Sequence, residues 1–331
     1  MKNLFGVLPT GEKVFSYELK DGDYSVKIIN YGAIIQSFNC FGTDIVGGFD
    51  TLEEYIKDGS FQGCIVGRVA NRIKDAKFTL DGIEYNLTKN EPQGTLHGGS
   101  RLNKKLWSFE DFKENSVTLT VDSPDLEDGF PGNMKITVKY TLTNGALVID
   151  YNAVSDKKTP ICLTNHSFFN IDGLGGNVLD QSLKLYADRY TAVQDLIPTG
   201  ERPSVLGTQF DFTYMHKIGD RIFDNIPGYD HNYIISKGAY GEFLGKQLPL
   251  AAEVENGKLR LSFYTTEPCF QFYSGIYLGD RGCFKGNKKI VKCGAFCLEA
   301  QTEPNCIQRG EAIYDAGEPY TQTTVYKVEK I

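Results

Sequence analysis

The 331-residue chain is 41% hydrophobic and 23% charged, with a formal net charge of −7, a composition that supplies a large core and excludes disordered, collagen-like and coiled-coil classes. Its Lys and Arg residues are scattered among acids, so no basic face for a phosphate backbone is expected and nucleic acid is not a predicted partner. No stretch approaches the roughly 18 continuous apolar residues of a membrane span, and the start, MKNLFGVLPTGEKVF, lacks the apolar run of a signal peptide. The expectation is a cytoplasmic protein with no membrane partner.

In chain order, LEEYIKD (52–58) predicts one short helix. GRVANRI (67–73) sets Asn71 beside Arg72 after a glycine-bounded turn, and that guanidinium offers fixed donors to hydroxyl or carboxylate oxygens, or forms a surface ion pair. Asp81-Gly82 separates AKFTL from IEYNLT as a hairpin turn, and His97 follows in TLHGG. Asn144-Gly145 joins KITVKYTLT to ALVIDYNAV, the dipeptide that best accepts the positive φ angles of a tight turn. His166 stands in LTNHSFFN, and His216 in a surface turn with a short helix near 216–223. GYDHNY (228–233) packs Asp230, His231 and Asn232 between aromatics. Asn256-Gly257 separates AAEVE from KLRLSFYTT, where Leu259, Leu261 and Phe263 alternate with Lys, Arg and Ser. EPCFQFYSG (267–275) places Gln271 in a Phe-rich strand, KGNKK (285–289) reads as a solvated turn, and GAFCLEAQ carries Glu299.

Strands that follow one another through short turns, without amphipathic helices of ten or more residues between them, predict an all-β fold of large antiparallel sheets in a β-sandwich. No linker, low-complexity tract or fixed-period repeat divides the chain, so residues 1–331 are expected to form one domain, with the polar motifs at strand ends around a groove. The eight cysteines run from Cys40 to Cys306 without a Cys-x-x-Cys pair, which predicts reduced core thiols, Cys293 and Cys297 facing one side of a strand.

His97 and His166 occupy stretches crowded with Gly, Asn, Thr and Ser, and Glu299 adds a carboxylate; together they can move protons near pH 7. The bland alternatives are a core imidazole bonded to Asn165 or Thr164 and a strand carboxylate paired with an Arg. Polar groups inside aromatic runs need partners, and sugar hydroxyls suit such a set because each donates and accepts while aromatic faces cover the C–H side of a pyranose.

TLHGG, GRVANRI, LTNHSFFN, IPTGE, FDF, GYDHNY and CLEAQ, in this order, resemble the aldose 1-epimerase (galactose mutarotase) family, and NYGAIIQSF (30–38) and VGGFDTLEEY (46–55) extend the likeness over nearly the whole chain. The resemblance implies a β-supersandwich with no metal and no nucleotide cofactor, interconverting the α and β anomers of free aldoses such as galactose and glucose. It implies Glu299 as the base at the C1 hydroxyl and His166 as the acid at the ring oxygen, with His97 close to the sugar. Arg72, Asp230 and Gln271 would then hold hydroxyls and Asn71 would position the site. His231 either orders Asp230 or faces the other side of its strand. Two departures from the family pattern, SRLNKKLW after LHGG and TEPNCIQ after Gln301, put the rim contacts in question. The rival readings are a sugar-6-phosphate 1-epimerase and a non-catalytic sugar-binding or regulatory protein on the same fold.

Overall fold

The computed structural model describes residues 2–99, 101–223, 227–236, 238–279 and 281–331. Ser100, in the segment after LHGG, lies outside them. Three antiparallel sheets account for most of the strands. The largest has ten, running from Ser108–Lys113 through Met134–Thr143 and Ala146–Ser155 to the C-terminal strand Tyr320–Lys330, then back through Leu259–Thr265 and Lys246–Glu255. A five-stranded sheet is built from residues 2–44. The third has four strands in simple meander order: β1 (Ala187–Tyr190), β2 (Asp230–Ile235), β3 (Cys269–Tyr273) and β4 (Cys297–Gln301).

Period-two patterning makes this a sandwich. In Met134–Thr143, Met134, Ile136, Val138, Tyr140 and Leu142 point inward while Lys135 and Lys139 point out. They share one apolar cluster with Leu19, Val26 and Phe38 of the five-stranded sheet and with Phe270, Phe272 and Leu298 of the four-stranded one. The large sheet is therefore one layer and the two smaller sheets face it, each fully buried side chain contributing roughly 1.5–3 kcal/mol. Inward tyrosines also cross between layers: Tyr140 donates its hydroxyl proton to the Ala33 carbonyl (2.6 Å) and Tyr326 to that of Leu298 (2.7 Å).

The helix at Leu52–Lys57 forms as expected, held by a capping box between Thr51 and Glu54. At Asp81-Gly82 and Asn144-Gly145 both residues have positive φ, the signature of tight hairpins. Asn256-Gly257 is a wider turn, because only Gly257 of the pair is left-handed and the Asn256 side-chain carbonyl accepts the N–H groups of Lys258 and Leu259.

Three expectations are corrected. No helix forms at 216–223: His216–Lys217 is a short strand with His216 half-buried. The next N–H groups, of Ile218 and Gly219, donate to the carbonyls of Gln181 and Leu179 rather than back along their own chain. KGNKK is not wholly solvated, since the Lys285 ammonium is 3.0 Å from Asp44 in a nearly buried ion pair and donates to the Gln36 carbonyl. Cys293 lies in a left-handed turn and Cys297 opens β4, so the two do not share a strand; all eight cysteines are nonetheless free thiols, Cys283 alone being half-buried.

Candidate active site

The site is a consequence of register. Directly opposite residues of adjacent strands point to one face, so Asn232, Gln271 and Glu299 form one row across β2, β3 and β4, and Asp230, Tyr273 and Cys297 the next. The other face carries Tyr233, Phe270, Phe272 and Leu298 into the core. His231 is on that far side, 4.6 Å from the Phe210 ring, and lies outside the site; its Nδ1 accepts the Asp230 N–H.

Two other elements aim imidazoles at this polar face. His166 follows the strand Thr164–Asn165; its N–H donates to the Cys64 carbonyl and its own carbonyl accepts from Gly63, both at 2.9 Å. His97 follows Gly94–Leu96, which pairs with Arg72–Lys74. Asn71 and His97 face each other with φ of 61° and 52°: the His97 N–H donates to the Asn71 carbonyl (2.9 Å) and the Asn71 N–H donates to His97 Nδ1 (3.2 Å). TLHGG needs its first glycine because a Cβ on Gly98 would lie 2.2 Å from the Gly67 carbonyl.

These groups line a cavity of about 190 Å³, which suits one small polar ligand. All seven residues expected from the sequence, Asn71, Arg72, His97, His166, Asp230, Gln271 and Glu299, line it. Glu299 Oε2 is 3.6 Å from His166 Nε2 and, though buried, accepts no hydrogen bond from the described protein groups. The His166 ring lies against Phe168 (5.0 Å), parallel to Phe61 (5.8 Å, 27°) and edge-on to His97 (5.1 Å, 80°). Gln271 donates to Asp230 Oδ1 (2.7 Å) and is approached by the Gln301 amide, which also donates to Asn232 (2.9 Å).

Burial dominates the electrostatics. It raises the Glu299 carboxyl well above its usual value, with Asp230 adding to the rise and Arg72 opposing it. Burial lowers His166 to about 4 and holds His97 well below the usual imidazole value, the latter helped by His166 and Arg72. Desolvation thus disfavours the charged form of both Glu299 and His166.

The sequence did not point to Glu91, Phe61 or Tyr273. Glu91 grips Arg72 with two bonds, to Nε (2.9 Å) and Nη2 (3.2 Å), so Arg72 is at once ion-pair partner and pocket wall. Glu91 precedes a proline in a loop and carries no motif signal. His97, His166 and Glu299 also offer three donor atoms within 4.8 Å of one another, the reach of a single metal ion. The Asn71–His97 bond opposes that use: with Nδ1 accepting an N–H, the neutral ring keeps its proton on Nε2 and has no lone pair left to coordinate.

A model of the aldose 1-epimerase family matches residues 16–327. The chain is 37% identical to the galactose mutarotases of Sus scrofa, over 98% of this chain and 96% of that one, and of Homo sapiens, over 98% and 97%. The chain belongs to the aldose 1-epimerase family. Solved structures agree: the galactose 1-epimerase of Lactobacillus acidophilus NCFM superposes with a TM-score of 0.88 at 26% identity, over 100% of this chain and 98% of that one. The aldose 1-epimerase of Escherichia coli K12 is 33% identical over 85% of this chain and 83% of its own length. The protein is accordingly an isomerase of the aldose 1-epimerase class.

The first departure from the family pattern is a support, whereas the second also reaches the site's edge, Pro304 lining a small cavity with Asn71, Arg72, Asp230 and Gln271. Among the described residues, none of 101–107 lines the cavity; Leu102 and Trp107 are buried in the core. In the second segment the Asn305 side chain accepts from the Lys74 N–H and its own N–H donates to the Arg72 carbonyl, bracing the strand that carries Arg72.

Proposed function

We propose that this aldose 1-epimerase interconverts the anomers of free aldoses, galactose among them, by ring opening, with Glu299 as general base and His166 as general acid. The observation that carries the reading is the unpaired, buried Glu299 Oε2 beside His166 Nε2. In the reactive form the pair's proton sits on His166, leaving a Glu299 carboxylate; Glu299 then takes the proton of the C1 hydroxyl as the C1–O5 bond breaks, and O5 takes the Nε2 proton of the His166 imidazolium, which is left neutral. The product is an open-chain aldehyde. Rotation about C1–C2 exposes the other carbonyl face, O5 attacks it, and the two protons return along the same paths. The pair begins and ends with the same proton count, so no other acid or base is consumed.

Arg72, Asp230 and Gln271 hold the sugar hydroxyls, and the grip of Glu91 on Arg72 and the bond from Gln271 to Asp230 fix their directions before the sugar arrives. Asn71 sets the ring of His97, which donates from Nε2 to the bound sugar. Phe61 and Tyr273 cover apolar C–H faces. The 37% identity to the galactose mutarotases of Sus scrofa and Homo sapiens supports galactose as a substrate. The chain acts as one domain in the cytoplasm; no helix among the described residues is long and apolar enough to cross a membrane. A sugar 6-phosphate is a poorer fit, since of the two cations lining the cavity Arg72 is already engaged by Glu91 and Arg281 sits at the exposed rim.

Polarimetry of freshly dissolved α-galactose tests this. The wild type should accelerate relaxation, Glu299→Gln should lose roughly 10²–10⁴-fold of that rate, and galactose 6-phosphate should gain little. Sugar binding by calorimetry without any acceleration would leave only the non-catalytic reading.

A further inference from the structure

The Gln271 amide, which lines the cavity, is tied to a buried line of polar groups that ends at Glu303, away from it. Gln301 closes β4 two residues after Glu299, so its side chain leaves the sheet on the same face; it is fully buried and does not line the cavity. Opposite it in β3 stands the small side chain of Cys269, and the Gln301 Nε2 group reaches two carbonyl oxygens, those of the Asn232 side chain on β2 (2.9 Å) and the Gln271 side chain on β3 (3.5 Å). The Asn232 Nδ2 group in turn donates to the Thr191 hydroxyl (2.9 Å) and approaches the Cys269 sulfur, and that hydroxyl donates to Glu303 (2.8 Å). At the other end Gln271 Nε2 donates to Asp230 Oδ1 (2.7 Å).

Only one direction of donation satisfies this line. A carboxylate only accepts, so Glu303, which also accepts from Arg202 and Arg309, obliges the Thr191 hydroxyl to donate to it. The Thr191 oxygen then accepts from the Asn232 amino group, which turns the Asn232 carbonyl toward Gln301. The Gln301 amino group spends its two protons on the carbonyls of Asn232 and Gln271, and the Gln271 amino group is left facing Asp230, a second acceptor-only group. Turning the Gln301 amide over would set its oxygen against two carbonyl oxygens. Its Oε1 accepts no hydrogen bond from the described groups, so this amide is held through its donors alone. Building on the reading that Asp230 and Gln271 hold sugar hydroxyls, we propose that Gln301 is a positioning residue: with Asn232 and Thr191 it locks the Gln271 amide so that its remaining N–H serves the cavity. The pair then recognises a hydroxyl that accepts from Gln271 and donates to the other carboxylate oxygen of Asp230, a demand that an O-methyl group in its place does not meet.

Galactose binding by calorimetry and mutarotation by polarimetry test the relay on the intact protein, with thermal melts reporting the fold. Gln301→Met nearly keeps the length of the side chain and removes its donors; it should weaken binding and raise KM roughly tenfold while kcat stays within about threefold of wild type. Thr191→Val, which keeps the shape, should raise KM severalfold, and Thr191→Ser, which restores the hydroxyl, should return it to within about twofold of wild type. The threonine pair decides the matter even if the Gln301 variant does not fold. A folded Gln301→Met protein that binds galactose as tightly as wild type would overturn the proposal. So would a Thr191→Ser protein as impaired as Thr191→Val, because packing rather than the hydrogen bond would then be at work. Weakened binding in these variants, in a protein whose wild type does not accelerate mutarotation, would leave the relay standing and remove the catalytic reading instead.

Discussion

Glu299 and Glu303 lie four residues apart, at 2% and 3% exposure, and the protein treats them in opposite ways. Glu303 accepts hydrogen bonds from the Thr191 hydroxyl (2.8 Å), Arg202 (2.6 Å) and Arg309 (2.9 Å). Glu299 Oε2 accepts none from the described groups and meets only a buried imidazole whose own charge is disfavoured. Equal burial therefore has two meanings. A compensated carboxylate ties loops together, here joining the Arg202 segment to the segment after Gln301. An uncompensated one is destabilised in its charged form, the property that the proposed base role of Glu299 draws on.

Exchanging the roles of the two acids is the strongest way to break this comparison. Glu299→Gln should abolish most of the activity while the fold is kept or slightly stabilised, because a buried unpaired carboxyl is removed. Glu303→Gln should act the other way, costing about 1–3 kcal/mol because it takes the carboxylate partner from Arg202 and one of two from Arg309, which keeps Glu311; Arg202 and Arg309 are 51% and 32% exposed, so water softens the loss. Its kcat should stay within a few-fold of wild type. Urea denaturation and polarimetry on the same two proteins read both effects, and a Glu303 variant that lost activity without losing stability would sink the distinction.

The same contrast recurs inside GRVANRI. Arg68 is buried and donates to Ser123 Oγ and to the carbonyls of Ser123, Pro124, Pro131 and Gly132, so it knits a loop; Arg72, four residues on, turns to the cavity against Glu91. Arg68→Met should lower stability by several kcal/mol, since it leaves carbonyls without donors. Arg72→Met should raise KM roughly tenfold with a smaller effect on stability, the loss of one set of sugar hydrogen bonds. Equal thermal shifts in the two variants would mean that Arg72 too is structural.

Legibility followed locality. The hairpins at Asp81-Gly82 and Asn144-Gly145 could be read because two adjacent residues decide a tight turn, and the alternation in Met134–Thr143 because a strand shows its buried face in every second residue. Asn71, Arg72, His97, His166, Asp230, Gln271 and Glu299 could be named from motifs and from the family they resemble. What the sequence hid was tertiary. Glu91 meets Arg72 only because a loop folds back, Lys285 is half-buried only because Asp44 of the five-stranded sheet lies beside it, and His216 enters a strand only because residues 182–183 offer an edge. The structural roles of Arg68 and Glu303, two charges with several partners each, gave no signal, since satisfaction by distant carbonyls and guanidinium groups leaves no local pattern.

The smallest effect is the most discriminating, because it reads the charge of Glu299 in the resting protein. His166 falls from 6.5 to about 4 on folding, so between those values the unfolded chain binds a proton that the native state refuses, and stability is lost as pH falls through the window. His97, lowered mainly by burial, works in the same direction. Glu299 has the opposite sign: above 4.5, the ordinary value of its carboxyl, the native state keeps a proton that the unfolded chain has released, and stability is lost as pH rises. In the wild type the two slopes oppose each other between about pH 4.5 and 6.5. Glu299→Gln deletes only the second slope, so acidification across that window should destabilise the variant more steeply than the wild type. Unfolding free energies from urea titrations at about pH 6.5, 5.5 and 4.5 give the two slopes directly. Parallel slopes would mean that Glu299 is already ionised in the free protein, as a compensated acid is, and the contrast with Glu303 would then rest on geometry alone.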